Sequence, residues 1–400
     1  MDFKKDFPML NKDIIYFDNG ATTLKPYSVI NEIKDYYENY SSNAHRGDYK
    51  ISVDASLKFE ETREKVRQFI NANKKEEIVF TSGSTESINE IIFGYLGEYL
   101  NENDEVLTTK SEHASIILPL FELEKSKRIK VKFMPLKDDF TLDLNTVKNS
   151  VTDRTKAICI SHVTNVIGDI RPIKEIVKYA HEKGIIVLLD ASQSIGHIKV
   201  DVGDLDVDFM AFSAHKMLGP TGVGVLYGKY ELLDKVKPLI YGGGMNVSFT
   251  NSSNIELKSL PHRLEAGTQN IAGVIGFSKA IDYINDIGID SIENKIIELK
   301  RYAVDKLKRL KNVEIYNENV DGSTIIFNVK GIFSQDVSIY LDKYNICIRS
   351  GSHCAKKLVD ELGITNTCRI SLYFYNTKEE IDRLVEVLDN DHILEESIGV

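Results

Sequence analysis

The sequence predicts an α/β fold, in which a mostly parallel sheet is flanked by helices and a smaller α+β domain follows. Between about residues 76 and 230, short β-branched runs alternate with amphipathic stretches, a pattern typical of repeated βαβ units. The run at 185–189 (IIVLL) is apolar throughout, as expected of a strand covered on both faces. Beyond about Ala272 the pattern changes to a long helical region followed by short strands.

The clearest βαβ unit begins with the strand-like residues 157–160 (AICI). Pro172 then opens a helix whose apolar residues follow the i, i+3, i+4, i+7 spacing, and Gly184 ends it. The apolar strand at 185–189 comes next and ends at Asp190. This unit therefore predicts two parallel strands connected by a helix that covers one face of the sheet.

The C-terminal part predicts strands at 323–329, 346–348 and 369–374, and a helix near 334–344. A further helix begins with a capping box at 377–380 (TKEE), in which hydroxyl and carboxylate satisfy free backbone amides. The tail after Asp389 is polar, and we expect it to fray.

The bulk composition limits the classes of function. A formal net charge of −10 disfavours binding to nucleic-acid phosphates, and no apolar run approaches the roughly 18 residues of a membrane span. Residues 1–6 lack the features of a secretory signal, so we expect a cytoplasmic protein. Its cysteines have neither a disulfide framework nor a C-x-x-C metal or redox spacing: Cys159, Cys347, Cys354 and Cys368.

An acid and a lysine are predicted to meet at one edge of the sheet. Asp190 ends one apolar strand, and Lys216 follows the next short strand at 209–212. Open α/β sheets bind ligands at the carboxyl ends of their strands. A lysine there can form a Schiff base with an aldehyde cofactor, and an acid can protonate a pyridine nitrogen, as pyridoxal phosphate requires. For each residue taken alone, a solvated surface charge (Lys216) and a helix cap or turn residue (Asp190) are the simpler interpretations.

Residues 81–87 (TSGSTES) lie between a strand-like run at 78–80 and a helical pattern. A small polar turn at this place offers backbone N–H groups and hydroxyls to a phosphate. Serine and threonine are also ordinary N-caps, so the motif alone is weak. The sequence contains no P-loop and no strand-linked G-x-G-x-x-G, which disfavours a nucleotide-binding alternative.

Two further residues have a functional and a simpler interpretation. His113 could stack on a planar cofactor ring and relay protons, or it could be a surface histidine after a turn. Arg369 could clamp a substrate carboxylate with its guanidinium fork. The local sequence favours an exposed strand-edge arginine instead.

Cys354 lies in the polar turn at 349–355 (RSGSHCA), called here the Cys354 loop, between a strand and a helix. A helix N-terminus and the neighbouring His353 and Arg349 would favour the thiolate, which is the form that attacks sulfur. Cys347 and Cys368 lie inside apolar runs instead, where cysteine usually behaves as a small buried residue.

Taken in order, these segments resemble the class V aminotransferase group of fold-type I pyridoxal-phosphate enzymes over nearly the whole chain. Within that group they resemble the cysteine desulfurases of the sulfur-mobilisation type (group II), with selenocysteine lyases close by. The segments that carry the resemblance are 16–23 (YFDNGATT), 44–47 (AHRG), 82–86 (SGSTE), 112–113 (EH), 161–168 (SHVTNVIG), 213–216 (SAHK), 265–270 (EAGTQN), the Cys354 loop and 368–369 (CR).

The resemblance implies a large domain with a mostly parallel, seven-stranded sheet and a small α+β domain. It places an N-terminal arm at 1–20, which packs with the small domain, and the pyridoxal-phosphate-binding domain at 21–271. The small domain, at 272–400, carries the Cys354 loop. A homodimer is implied as well.

The resemblance also implies the roles of individual residues. Lys216 would hold pyridoxal phosphate, Asp190 its pyridine nitrogen and Gln193 its ring oxygen, and His113 would stack on the ring and act in catalysis. Cys354 would be the sulfur acceptor. The phosphate would be bound by Ser84, Thr85, Ser213 and His215, with Thr268 from a second subunit, and the substrate by Asn165, Arg369 and His45.

Three positions depart from the family pattern. Ala214 replaces the usual glycine before His-Lys, Ser352 replaces the first histidine of the cysteine loop, and Ala114 replaces a second histidine after His113. None of them removes a group that the mechanism requires.

The function implied is conversion of L-cysteine to L-alanine, with sulfur passed as a persulfide on Cys354 to an acceptor protein of iron-sulfur cluster assembly. The alternatives are a selenocysteine lyase acting on L-selenocysteine, a cysteine sulfinate desulfinase, another class V aminotransferase or epimerase, and a non-catalytic scaffold that keeps the fold.

Overall fold

The structure, a computed structural model, describes residues 3–251, 254–390 and 392–398, without the side chains of residues 251, 397 and 398. Within these ranges, none of the helices combines the length and the apolar character that a membrane crossing needs.

Fifteen strands are described. In chain order they are β1 (Ile15–Tyr16), β2 (Ile78–Thr81), β3 (Glu105–Thr109), β4 (Lys130–Met134), β5 (Thr155–Ser161), β6 (Ile186–Asp190), β7 (Phe209–Ser213), β8 (Gly224–Gly228), β9 (Asn246–Asn251), β10 (Asn254–Leu257), β11 (Val313–Ile315), β12 (Thr324–Val329), β13 (Ile346–Cys347), β14 (Arg349–Gly351) and β15 (Thr367–Ser371).

The described α-helices are α1 (Tyr27–Asn39), α2 (Lys50–Phe69), α3 (Ser84–Ile91), α4 (Gly97–Tyr99), α5 (Ala114–Lys127), α6 (Leu144–Ser150), α7 (Ile173–Glu182), α8 (Val202–Leu205), α9 (Tyr230–Leu233), α10 (Ile271–Ile287), α11 (Ile289–Leu307), α12 (Ser334–Asp342), α13 (Lys356–Glu361), α14 (Lys378–Leu388) and α15 (Ile393–Ile398). A π-helical segment at Ile92–Leu96 joins α3 to α4.

A seven-stranded sheet forms the centre of the large domain, in the order β2-β8-β7-β6-β5-β3-β4. Only β8 runs antiparallel to its neighbours, β2 and β7. The predicted seven-stranded, mostly parallel sheet is therefore confirmed. Because β5, β6 and β7 are parallel, their carboxyl ends lie at the same edge, where the predicted site residues follow them.

The predicted βαβ unit is confirmed between β5 and β6. Helix α7 buries the apolar residues Ile173, Ile176, Val177 and Ala180 against the sheet. Pro172 is the N-cap rather than the first helical residue, and Gly184 ends the connection with φ +68°. In β6 the residues from Val187 onward are buried, as expected of a strand with helices on both faces.

The C-terminal part contains a four-stranded antiparallel sheet in the order β11-β12-β15-β14. Strand β1 pairs in parallel with β13, and Phe17 is fully buried in the same hydrophobic core as Ile370 and Leu384. Residues 15–17 thus pack with the C-terminal part. Helix α10 packs against α1 and α2. The division of the chain at residues 20 and 271 stays a prediction.

The C-terminal predictions need three corrections. The strand predicted at 369–374 lies at Thr367–Ser371, because residues after Ser371 turn away into the core. The tail was expected to fray, but residues 393–398 form α15, which packs against α12 and buries Ile393 completely, while residues 391, 399 and 400 lie outside the described residues. Cys347 was expected inside an apolar strand; it lies on the two-residue strand β13 and is only half-buried, whereas Cys368 is buried.

Candidate active site

A cavity of about 390 Å³ lies at the carboxyl ends of β5, β6 and β7. Ten of the residues singled out from the sequence line it together: Ser84, Thr85, His113, Asn165, Asp190, Gln193, Ser213, His215, Lys216 and Arg369.

Lys216 and Asp190 come to this cavity from neighbouring strands. Asp190 ends β6 and pairs in register with Ala211 of β7, and Lys216 follows β7 in a short turn. Burial lowers the pKa of the Lys216 amine, and the guanidinium groups of Arg369 and Arg349 lower it further, against the opposing effect of the Asp190 carboxylate. The interpretation of Lys216 as a solvated surface charge is therefore wrong.

Asp190 also serves the turn that follows β6, since one carboxylate oxygen accepts the backbone N–H of Ser192 at 2.9 Å. The side chain is only 5% exposed. Next to it, Gln193 Nε2 donates to the Gly20 carbonyl at 2.9 Å, which fixes that amide at the cavity wall. The interpretation of Asp190 as a turn residue is thus compatible with its place in the cavity.

His113 is the N-cap of α5, and its ring is held in one orientation. Its Nδ1 accepts the backbone N–H of Ser115 at 3.2 Å and lies 2.8 Å from the Ser115 hydroxyl oxygen. Because Nδ1 is an acceptor, the hydrogen-bond network assigns the ring proton to Nε2. Burial lowers the pKa of His113, and Lys216 lowers it further, so the imidazole is neutral near pH 7.

The turn after β2 brings backbone N–H groups to one end of the cavity. Gly83 is the N-cap of α3 and leaves that helix start without a side-chain cap. The Ser84 N–H donates to Ser213 Oγ at 2.8 Å, and Ser213 Oγ donates to Ser84 Oγ at 3.0 Å. An uncapped helix N-terminus with hydroxyls around it suits a phosphate.

Four buried polar atoms of residues that line the cavity have no hydrogen-bond partner, and two of them are the hydroxyl oxygen of Ser192 and Nδ1 of His215. Burial lowers the pKa of His215 to about 4, with further contributions from Lys216 and Lys25, so this ring is neutral. Buried polar atoms are normally paired, so these two are ready for a polar ligand. Together with the lysine amine, the acid and the uncapped N-terminus of α3, they fit pyridoxal phosphate.

Arg369 lies on β15, an interior strand, and is fully buried, so its interpretation as an exposed strand-edge residue is wrong. Its Nη1 donates to the Asn165 carbonyl at 2.8 Å, and its Nη2 pairs with Asp18 at 2.9 Å. Nε has no hydrogen-bond partner, so its N–H is available to a ligand. Asp18 lies within segment 16–23 but was not singled out, because nothing local predicts a partner so distant in sequence.

Cys354 is exposed, and it is not among the residues that line the cavity. The guanidinium of Arg349, which does line it, has Nη2 at 3.6 Å from the Cys354 sulfur. His353 is buried, with Nε2 at 2.7 Å from the Thr367 hydroxyl, and burial lowers its pKa to about 3. His353 is therefore neutral and adds no positive charge, contrary to the expectation, whereas Arg349 does.

A buried ion-pair network beneath His113 escaped the sequence analysis. Arg171 Nη1 pairs with Glu112 at 2.5 Å, and Glu112 also accepts the Ser161 N–H at 2.8 Å. Asp169 lies 3.4 Å from Arg171. The network ties the ends of β3 and β5 together, next to His113. In the sequence, the one available signal for this network was Glu112, which directly precedes His113 in segment 112–113.

Besides Cys354, two predicted residues do not line this cavity. Thr268 lines a second cavity, of about 190 Å³, that shares Ser82, Glu86 and Gly222 with the first. His45 lines a third, of about 130 Å³, with Nε2 at 3.2 Å from Glu60. Their predicted roles in binding phosphate and substrate stay predictions.

Comparisons with known proteins give a matching family model and similar proteins of known structure. A family model described as aminotransferase class-V matches residues 15–384. A relative named a probable cysteine desulfurase, from Halalkalibacterium halodurans, is 42% identical over 393 residues, covering 97% of each chain. An apo structure of a cysteine desulfurase from Thermococcus onnurineus NA1 is 38% identical, with a TM-score of 0.93, over 100% of this chain and 98% of the other. A cysteine desulfurase structure from Escherichia coli is 35% identical, with a TM-score of 0.91, over 98% of each chain.

Proposed function

This chain belongs to the class-V aminotransferase family, and we propose that it is a pyridoxal-phosphate-dependent cysteine desulfurase. It converts L-cysteine to L-alanine and takes the sulfur as a persulfide on Cys354. The observation that carries the proposal is that Lys216, Asp190 and His113 line one cavity, while Arg349 reaches from that cavity to the Cys354 sulfur.

The cofactor site uses residues from several strands. Lys216 would hold the cofactor aldehyde, and Asp190 would keep a proton on the pyridine nitrogen. The chemistry that pyridoxal phosphate supplies when bound is withdrawal of electrons from the Cα of an amino acid. The other contacts with the cofactor would come from His113 and Gln193 at the ring and from Ser84, Thr85, Ser213 and His215 at the phosphate, with Thr268 of a second subunit.

Lys216 acts as base and then as acid. Its lowered pKa gives a larger fraction of free amine near pH 7 than an exposed lysine has, so it can remove the proton from the substrate Cα. The neutral imidazole of His113 keeps its Nε2–H as a donor. Arg369, with Asn165 and His45, would bind the substrate, and the guanidinium would orient its carboxylate.

The sulfur step belongs to Cys354. Its thiolate attacks the substrate Sγ, and the substrate Cβ–Sγ bond breaks. The electron pair of that bond stays with Cβ, which is protonated to form the methyl group of alanine. The products are L-alanine and a Cys354 persulfide, so one sulfur atom moves and no external oxidant is needed. Arg349 stabilises the attacking thiolate from 3.6 Å.

We also propose that the protein works as a cytoplasmic homodimer and passes sulfur to an acceptor protein of iron-sulfur cluster assembly. Large apolar side chains on α1 and α2, which are candidates for a subunit interface, support the dimer: Tyr37 is 63% exposed and Leu57 is 64% exposed.

The test is an assay of the purified, cofactor-loaded protein with L-cysteine. We expect L-alanine in step with persulfide on Cys354, detected by mass spectrometry, and loss of both in Cys354→Ala, with Cys347→Ala as the matched control. Selenocysteine cleavage that persists in Cys354→Ala, without cysteine turnover in the wild type, would indicate a selenocysteine lyase. Absence of alanine from cysteine would refute the proposal.

A further inference from the structure

We propose that Asn165 is a positioning residue that holds the Cys354 loop against the large domain before substrate arrives. The proposal deepens the proposed function and rests on it only in taking Cys354 as the sulfur acceptor. It differs from the predicted role of Asn165 as a ligand of the substrate, because it concerns the substrate-free enzyme.

The Cys354 loop carries backbone strain at its reactive end. His353 and Cys354 are consecutive, neither is glycine, and their φ angles are +53° and +58°. Left-handed backbone brings the Cβ of an L-residue close to its own chain, so such residues persist only where surrounding contacts hold them. Two left-handed residues in succession therefore need contacts from the surrounding protein that hold them in this conformation.

Those contacts come from the large domain. Asn165 Nδ2 donates to the His353 carbonyl at 2.7 Å, and the N–H of Ala114, in the first turn of α5, donates to the Cys354 carbonyl at 3.0 Å. Both carbonyls of the strained pair are therefore bonded across to elements that line the cofactor cavity. The loop is docked beside His113, the residue that precedes Ala114.

The orientation of the Asn165 amide follows from its partner. The His353 carbonyl can only accept, so the NH₂ group of Asn165 faces it. Its Oδ1 is buried without a partner, and its backbone carbonyl accepts from Arg369 Nη1 at 2.8 Å. Asn165 is 6% exposed, so water competes little with these bonds. Asn165 thereby connects Arg369 to the Cys354 loop.

The test is hydrogen–deuterium exchange of the cofactor-loaded enzyme without substrate. Asn165→Ala removes the donor, and Asn165→Asp keeps the shape but replaces the donor with an acceptor. In both variants we expect exchange of the Ala114 amide and of the loop amides to accelerate about 10-fold, while β6 is unchanged. Asn312→Ala is the control, because Asn312 Nδ2 donates to the Leu388 carbonyl at 3.0 Å, away from the loop.

Unchanged exchange at Ala114 and in the loop, with a raised KM for L-cysteine, would make Asn165 a substrate ligand only and would overturn the proposal. Equal acceleration in the loop and in β6 would also overturn it, since that indicates general destabilisation. If Asn165→Ala does not fold, Asn165→Asp carries the test alone. Faster loop exchange in an enzyme that proves inactive on cysteine would support this proposal and refute the proposed function.

Discussion

Arg349 and Arg369 face each other across the antiparallel strands β14 and β15, and both side chains line the same cavity. Burial lowers the pKa of Arg369, and the neighbouring Arg349 lowers it further, while the ion pair with Asp18 opposes both effects. Two guanidinium groups at one cavity provide positive charge for two anions. In the proposed reaction these are the substrate carboxylate and the thiolate of Cys354.

Arg369→Lys tests the carboxylate role. A lysine keeps the charge but loses the planar fork, so it cannot satisfy Asn165 and Asp18 and also bind a carboxylate. We expect the KM for L-cysteine to rise about 10-fold, measured by alanine formation. Arg383→Lys, at an exposed arginine of α14, is the control and should keep the wild-type KM. An unchanged KM in Arg369→Lys would remove Arg369 from substrate binding.

Glu112→Ala tests the network beneath His113. The substitution leaves the Arg171 guanidinium fully buried with only Asp169 as a charged partner and frees the Ser161 N–H. We expect a loss of about 3 kcal/mol in the free energy of unfolding, measured by urea titration. Glu122→Ala, at an exposed glutamate of α5, should cost less than about 0.5 kcal/mol. Equal losses in the free energy of unfolding for the two substitutions would show that the buried pair of Glu112 and Arg171 stabilises the fold no more than an exposed pair does.

Lys300→Met tests a buried lysine that does not line the cavity. Lys300 donates to the Thr324 carbonyl at 2.7 Å, and burial lowers its pKa from 10.5 to about 7. Between these two values the unfolded chain holds a proton that the folded protein has released, so stability rises with pH by up to about 1.4 kcal/mol per unit. The variant lacks this contribution.

We therefore expect the melting temperature of the wild type to rise relative to Lys300→Met as the pH increases from 7 to 9. Lys311→Met, at an exposed lysine, should keep a constant offset from the wild type over that range. A constant offset for Lys300→Met as well would show that the folded protein keeps this lysine charged.

Lys25→Met tests the support of the turn that carries Lys216. The His215 carbonyl accepts from Lys25 Nζ at 3.0 Å, from both Thr23 Oγ1 and Thr22 Oγ1 at 3.1 Å, and from the Thr23 N–H at 3.0 Å. Loss of the lysine should loosen the turn and raise the dissociation constant for pyridoxal phosphate about 10-fold. Titration of the apo protein with pyridoxal phosphate, followed by fluorescence, measures this dissociation constant. Lys34→Met on α1 is the control, and equal affinities would contradict the role.

The sequence predicted the sheet well because its signals are local. Strand β6 is apolar up to its last residue, Asp190, and α7 has a buried stripe at helical spacing, so both follow from neighbouring residues. The site residues at the strand ends were predictable for the same reason, since Asp190 ends β6 and Lys216 follows β7 after a short turn. The resemblance added the roles that local patterns leave open.

Other features depend on contacts between distant residues and were missed. The ion pair of Arg369 with Asp18 joins residues 351 positions apart, and without it the arginine is indistinguishable from an exposed one. His353 sits next to Cys354 in sequence, but its ring is buried against Thr367 and cannot supply charge. Residues 393–398 form a helix because Ile393 packs into the core, which its polar neighbours in the sequence do not indicate.

The most direct test of the central claim is where pyridoxal phosphate attaches. Borohydride reduction of the loaded enzyme fixes the cofactor to the amine that holds it, and peptide mass spectrometry then identifies that residue. We expect a pyridoxyl group on Lys216 alone, and none in Lys216→Ala, with Lys34→Met modified as in the wild type. Attachment to another lysine, or a reduced protein without any pyridoxyl group, would contradict the account.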